Sequence, residues 1–193
     1  MKRTTRGYTV VELMMALAVF ATGVTGIVAM QRATVSSNQL ARNVTLANGI
    51  AQAWLSQLQA DGTLWNPGVA STVWLQSANT ANGLWQLPAF DVGRQFGAEF
   101  DNFGAPVPAG EGVFCAQIRL TWLFGDGISQ GGKAGNGLIR TEVRVFWPRD
   151  NSGFDAGDCN NPAQGVVDAV ADKTGKYHFV VQAGGVHQPT QTL

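Results

Sequence analysis

Glu12 is the one carboxylate in an otherwise apolar run from Val10 to Met30, and a basic leader, MKRTTRG, stands directly before that run. A charged side chain at hydrocarbon depth costs at least a few kcal/mol unless something pairs with it, so such a residue marks function by default. The most economical partner is an amine that enters the membrane with it. Cutting the chain after Gly7 creates one on Tyr8, at the tip of the same apolar segment. Glu12 of one copy then neutralises the Tyr8 amine of its neighbour.

Basic leader, Gly before the cut, aromatic first mature residue, Glu at the fifth mature position and an apolar helix together resemble the class III signal of type IV prepilins. The departure is Tyr8, where that family most often has Phe. The resemblance implies cleavage between Gly7 and Tyr8 by a prepilin peptidase, N-methylation of Tyr8, and alignment of the incoming subunit by Glu12. An ordinary secretory signal has an apolar core of about 7 to 15 residues closed by a small-residue cleavage site. Here the run is longer, holds Glu12 near its start and ends in no A-x-A site. A plain anchor fits the length, since roughly 20 residues at 1.5 Å each cross a 30 Å core, but leaves Glu12 without a purpose. The basic flank and the length of the run disfavour a buried soluble helix.

Other residues invite chemistry and give weaker signals. Gly127, Gly132 and Lys133 nearly spell a phosphate-binding loop, yet Ala134 stands where that loop needs Ser or Thr for magnesium, and a strand rather than a helix follows. A polar hairpin loop is the better reading. Asp150, Asn151, Asp155 and Asp158 offer oxygen ligands of the kind calcium takes, without EF-hand spacing or a distal Glu, so a solvated loop is expected. His178 and His187 lie in or just after the last expected strand with no nucleophile pattern nearby. Trp65, Trp74 and Trp85 suit core packing better than sugar stacking. No catalytic set, metal site or cofactor is therefore expected.

Cys115 and Cys159 fit an oxidising compartment, where pairing them would close a loop of about 45 residues and add roughly 3 to 4 kcal/mol in the chain-entropy picture. Two unpaired buried thiols are the alternative. There is no CxxC and no Cys/His cluster, which argues against zinc. The formal net charge is zero, but Lys2, Arg3 and Arg6 belong to the leader, so the mature chain is mildly acidic and carries no basic nucleic-acid footprint. With 24 Gly and 13% charged residues, the rest reads as an extracytoplasmic, turn-rich β region.

These residues need elements to position them. After Met30 the apolar pattern becomes amphipathic without a breaker: Leu40, Val44, Ala47, Ala51, Trp54 and Leu58 recur at spacings of four and three on one helical face. Asp61 and Gly62 supply the stop. One helix from Tyr8 to about Gln59 is expected, roughly 75 to 80 Å long. Gly23 and Gly26 make a weak point within it, each costing about 1 kcal/mol relative to Ala.

Residues 62–110 read as irregular, with one short strand at Ser71 to Gln76. Val113 to Phe124 and Leu138 to Trp147 alternate apolar and polar around a Gly-rich hairpin loop, and Tyr177 to Ala183 forms a further strand after a short helix opened by Asn161 and Pro162. An antiparallel sheet with one apolar face must cover that face, and the stripe on the outer half of the helix is the natural cover. The expected fold class is α+β, a long N-terminal helix with its distal half on an antiparallel sheet, which is also the type IV pilin fold. The divisions are a leader at 1–7, an apolar helix at 8–30, its amphipathic half at 31–60 and a β-rich headpiece at 61–193.

The segments GYTVVELMMALAVFATGVTGIVAMQ and LARNVTLANGIAQAWLSQL are similar to those of PilV-type minor pilins, also called type IV pilus modification proteins, and EVRVFWPRD is similar to a strand ending common in that group. The resemblance implies a structural, non-enzymatic subunit that helps initiate a type IV pilus and sits at or near its tip. Its implied partners are the prepilin peptidase, other minor pilins, the major pilin and a tip adhesin. Its implied location is the inner membrane, with the headpiece in the periplasm, and then the extracellular pilus. A minor pseudopilin of a type II secretion system uses the same stem and peptidase and is the alternative. A single-pass anchored binding domain with a Trp-rich surface is a third, from a different class.

Overall fold

The computed structural model describes residues 9–65, 68–124, 137–150, 153–154, 158–159 and 175–189. One helix, α1, runs from Val10 to Gly62 over 53 residues, about 80 Å at 1.5 Å per residue. The chain forms two compact units, one up to Asn43 and one from Val44 onward.

In the first unit every described residue from Thr9 to Arg42 is exposed, including Leu13, Leu17, Phe20 and Ile27. The described threonine hydroxyls of this unit are satisfied within the unit itself. Thr22 donates to the Val19 carbonyl at 2.8 Å, Thr25 to Thr22 at 2.8 Å and Thr34 to Met30 at 2.9 Å. That is the arrangement an apolar surrounding demands, because a hydroxyl left unpaired in hydrocarbon is costly. Gly23 and Gly26 leave open space around their α-carbons, and α1 is continuous through both. The segment is long and apolar enough to cross a membrane.

In the second unit α1 lies on a six-stranded antiparallel sheet made of β1 (Trp85–Gln86), β2 (Glu99–Phe100), β3 (Pro106–Val107), β4 (Phe114–Phe124), β5 (Leu138–Pro148) and β6 (Tyr177–His187). The order is β3-β2-β4-β5-β6, with β1 also on β4. The helix presents Ala47, Ile50, Ala51, Trp54 and Leu58, all buried, to Phe114, Ala116, Ile118, Leu120, Ile139, Val143, Val145 and Trp147 on the inner face of the sheet. Full burial of each large apolar side chain stabilises by roughly 1.5 to 3 kcal/mol. The stripe is as expected from Val44 to Leu58, with Ile50 and Leu55 added, while Leu40 is exposed.

Two expectations are corrected. Ser71 to Gln76 is no strand; 3-10 turns at Val69–Ser71 and Leu75–Asn79 occupy that stretch. The cause is Asp61, whose carboxylate accepts the main-chain N–H groups of Val73, Trp74 and Leu75 at 2.9, 2.8 and 3.0 Å, so these donors need no sheet partner. Nor is the sheet covered on one face alone. Trp85, Leu87, Ala98, Cys115, Phe146, Cys159 and Tyr177 form a second cluster on the outer face, so Cys115 and Gln117 are buried where alternation placed them toward solvent. The last strand also runs four residues beyond Ala183, to His187. The short helix expected from Asn161 lies outside the described residues.

Candidate functional site

Gly7 and Tyr8 lie outside the described residues; Glu12 stands in the first turn of α1, exposed. Its Oε2 accepts the main-chain N–H of Thr9 at 2.9 Å and the Thr9 hydroxyl at 3.1 Å. The Thr9 Oγ1 in turn accepts the N–H of Glu12 at 3.3 Å. This reciprocal pair is a capping box, T-x-x-E, which satisfies two of the donors a helix start leaves open and contributes about 1 kcal/mol. Sequence reasoning missed it, although Thr9 and Glu12 have the required spacing. Glu12 thus has a local partner in the isolated chain. Its carboxylate is held at the N-terminal end of α1, where the helix dipole favours negative charge and where an amine on Tyr8 would be four residues away along the chain.

Cys115 and Cys159 form a disulfide. It ties β4 to the segment that carries Asp158, whose Oδ2 accepts the Tyr177 hydroxyl at 2.6 Å. Asp158 is therefore buried against β6. Asn151 and Asp155, the other half of the acidic loop, lie outside the described residues, as does the P-loop look-alike from Gly127 to Ala134. Among the described residues no three His, Cys, Asp or Glu side chains gather into a metal-binding group.

The outer face of β4 and β5 carries a polar ladder. Arg119 donates to Glu142 Oε2 at 2.7 Å, Arg140 to Glu142 Oε1 at 2.8 Å, and Arg144 to Gln117 at 2.6 and 3.0 Å. The guanidiniums of Arg119 and Arg144 stack on the Trp85 ring, 4.7 and 4.4 Å from its centroid. The hydrogen bond from Arg119 holds the Glu142 carboxyl below the ordinary carboxylate range, and the charges of Arg119 and Arg140 reinforce it against burial. On the inner face His178 packs on Trp147, with ring centroids 5.4 Å apart. Burial lowers its pKa and the charge of Arg149 adds to the shift.

Trp65, Trp74 and Trp85 are all buried in the two clusters. Trp54 meets Trp74 and Phe96 edge to face at 5.2 and 4.7 Å. These rings pack the core. No family model, curated protein or solved structure matches the chain.

Proposed function

We propose that the protein is a minor pilin, a structural subunit made as a membrane-bound prepilin, cut after Gly7, and built into a type IV pilus at or near its tip. The observation that carries this reading is continuity. The basic leader, Gly7, Tyr8 and Glu12 precede a helix whose apolar, wholly exposed first part runs without a break into a part that anchors an antiparallel sheet. An anchor for a binding domain needs neither Glu12 nor a single helix of this length. In this reading the pilin fold supplies the architecture, residues 8–30 pass from the inner membrane into the filament core, and other minor pilins, the major pilin and a tip adhesin are the partners.

During assembly Glu12 exchanges its bond to Thr9 for the Tyr8 amine of a neighbour. Glu12→Gln separates this role from capping, because the Gln carbonyl oxygen still accepts the Thr9 N–H and only the charge is lost. The expected result is normal processing and an unchanged Tm, with the variant in sheared pili reduced roughly tenfold, the equivalent of about 1.4 kcal/mol. Wild-type incorporation of the Gln variant would leave capping as the whole purpose of Glu12.

A further inference from the structure

β6 has one edge on β5 and, among the described residues, no strand on the other. The Gln188 N–H donates to Gly137 and the Arg149 N–H to Lys176, both at 2.8 Å, which fixes the hydrogen-bonding parity of the ladder. Even-numbered residues of β6 bond to β5. The main-chain N–H and C=O groups of Phe179, Val181, Ala183 and Gly185 therefore point to the open edge.

Protein edges are ordinarily blunted by charge, proline, bulges or brevity. The sequence YHFVVQAGGVH has no Lys, Arg, Asp, Glu or Pro, runs 11 residues, and pairs with β5 without a register shift. Phe179 and Val181 are 46% and 47% exposed on the outer face. Between the end of α1 and the end of β6 lies a groove of about 310 Å³, lined by Gln59, Gly62, Thr63, Gly185, Val186 and Pro189, large enough to take a side chain.

A second copy is a poor occupant. Antiparallel self-pairing places a two-fold axis normal to the sheet. It would set beside β6 a second β6, YHFVVQAGGVH, which brings no carboxylate to the charge of Arg140. Beside the edge the outer face carries Arg140, bonded to Glu142 Oε1, while Arg119 takes the other oxygen of that carboxylate. Arg140 is 51% exposed and pairs in register with Gly185, which has no side chain to screen it.

We infer that the open edge of β6 receives, as an added strand, an extended segment of a different polypeptide that carries alternating apolar or aromatic side chains and a carboxylate near Gly185. Main-chain bonds hold it, the bare outer face over Ala183 and Gly185 takes its bulky residue, and Arg140 takes its charge. This goes beyond the pilin assignment and does not depend on leader processing.

The probe is the peptide acetyl-Thr-Val-Thr-Phe-Thr-Asp-Thr-amide, added to the full-length protein in detergent micelles and followed by amide exchange and light scattering. Exchange at Phe179, Val181, Ala183 and Gly185 is expected to slow roughly tenfold or more, with even-numbered amides unchanged. Ala183→Pro, which removes an edge donor and no bond to β5, is expected to abolish the protection. Phe179→Lys, the charge that edges normally carry, is expected to weaken binding roughly tenfold and serves if the Pro variant fails to fold. No protection at millimolar peptide, equal binding by a folded Ala183→Pro variant, or concentration-dependent dimerisation that protects the same amides would overturn the assignment.

Discussion

At the scale of single residues, charge is placed where a partner is within bonding distance. Glu12 caps α1 with Thr9, Asp61 gathers three main-chain donors, and Glu142 joins two arginines. Only the first of these carboxylates announced itself in the sequence, because an acid in an apolar run stands out, whereas Asp61 and Glu142 look like ordinary turn and strand acids. Their partners are distant in the chain and no local pattern reveals them. Glu142 carries a pH dependence. Its folded pKa is depressed, so its contribution is present above the unfolded value of about 4.3 and is lost as pH falls through the lower folded value. The Tm difference between wild type and Glu142→Gln is expected to be constant from pH 8 to about 5.5, equivalent to about 1 to 2 kcal/mol given the exposure of Arg119 and Arg140, and to shrink below about pH 4.5. Thermal melts across that range check it; a difference that grows in acid would contradict the assigned pairing.

At the scale of elements, periodicity made α1, β4, β5 and most of β6 legible, since 3.6 and 2.0 are strong signals in long segments. The segment between α1 and β4 was not legible. There the fold is set by Asp61, whose carboxylate also takes an ion pair from Arg94 at 3.3 Å, and by Trp74 sandwiched against Arg94, Trp54 and Phe96. Asp61→Ala leaves three N–H groups without their acceptor, two of them buried, and is expected to cost about 3 kcal/mol, a fall in Tm of roughly 6 to 12 °C for a unit of this size. A change within the error of the melt would show that the loop stands without it. Gly62, the next residue, allows close contact because a Cβ there would collide with the Val186 side chain. The second cluster explains why the strand alternation failed at Cys115 and Gln117: a sheet buried on both faces at one end has no polar side there. The disulfide closes that cluster across 44 residues. Replacing both cysteines by Ala is expected to cost about 2 to 4 kcal/mol, read as a shift of the urea midpoint. A midpoint equal to that of the wild type would mean the cluster is held by Phe146 and Tyr177 alone.

At the scale of the whole molecule, one helix carries two different surfaces. Its first part is apolar, exposed and internally satisfied in its threonine hydroxyls, and its second part lays Ala47, Ile50, Trp54 and Leu58 on a sheet. A single helix with this division of labour is what a filament subunit needs, since the same surface must face lipid before assembly and other subunits after it. The architecture was legible because both parts announce themselves by composition. The open edge of β6 was not, because it becomes visible only when strand order is known. The central claim is that the apolar segment is freed from its leader to become a filament core, and it is tested most directly at the N-terminus. The full-length protein, expressed with and without a prepilin peptidase, is analysed by intact mass and N-terminal peptide sequencing. A peptidase-dependent start at Tyr8, bearing an added methyl group where the peptidase also methylates, is expected. A chain that keeps MKRTTRG, or one cut near residue 30, would contradict the account.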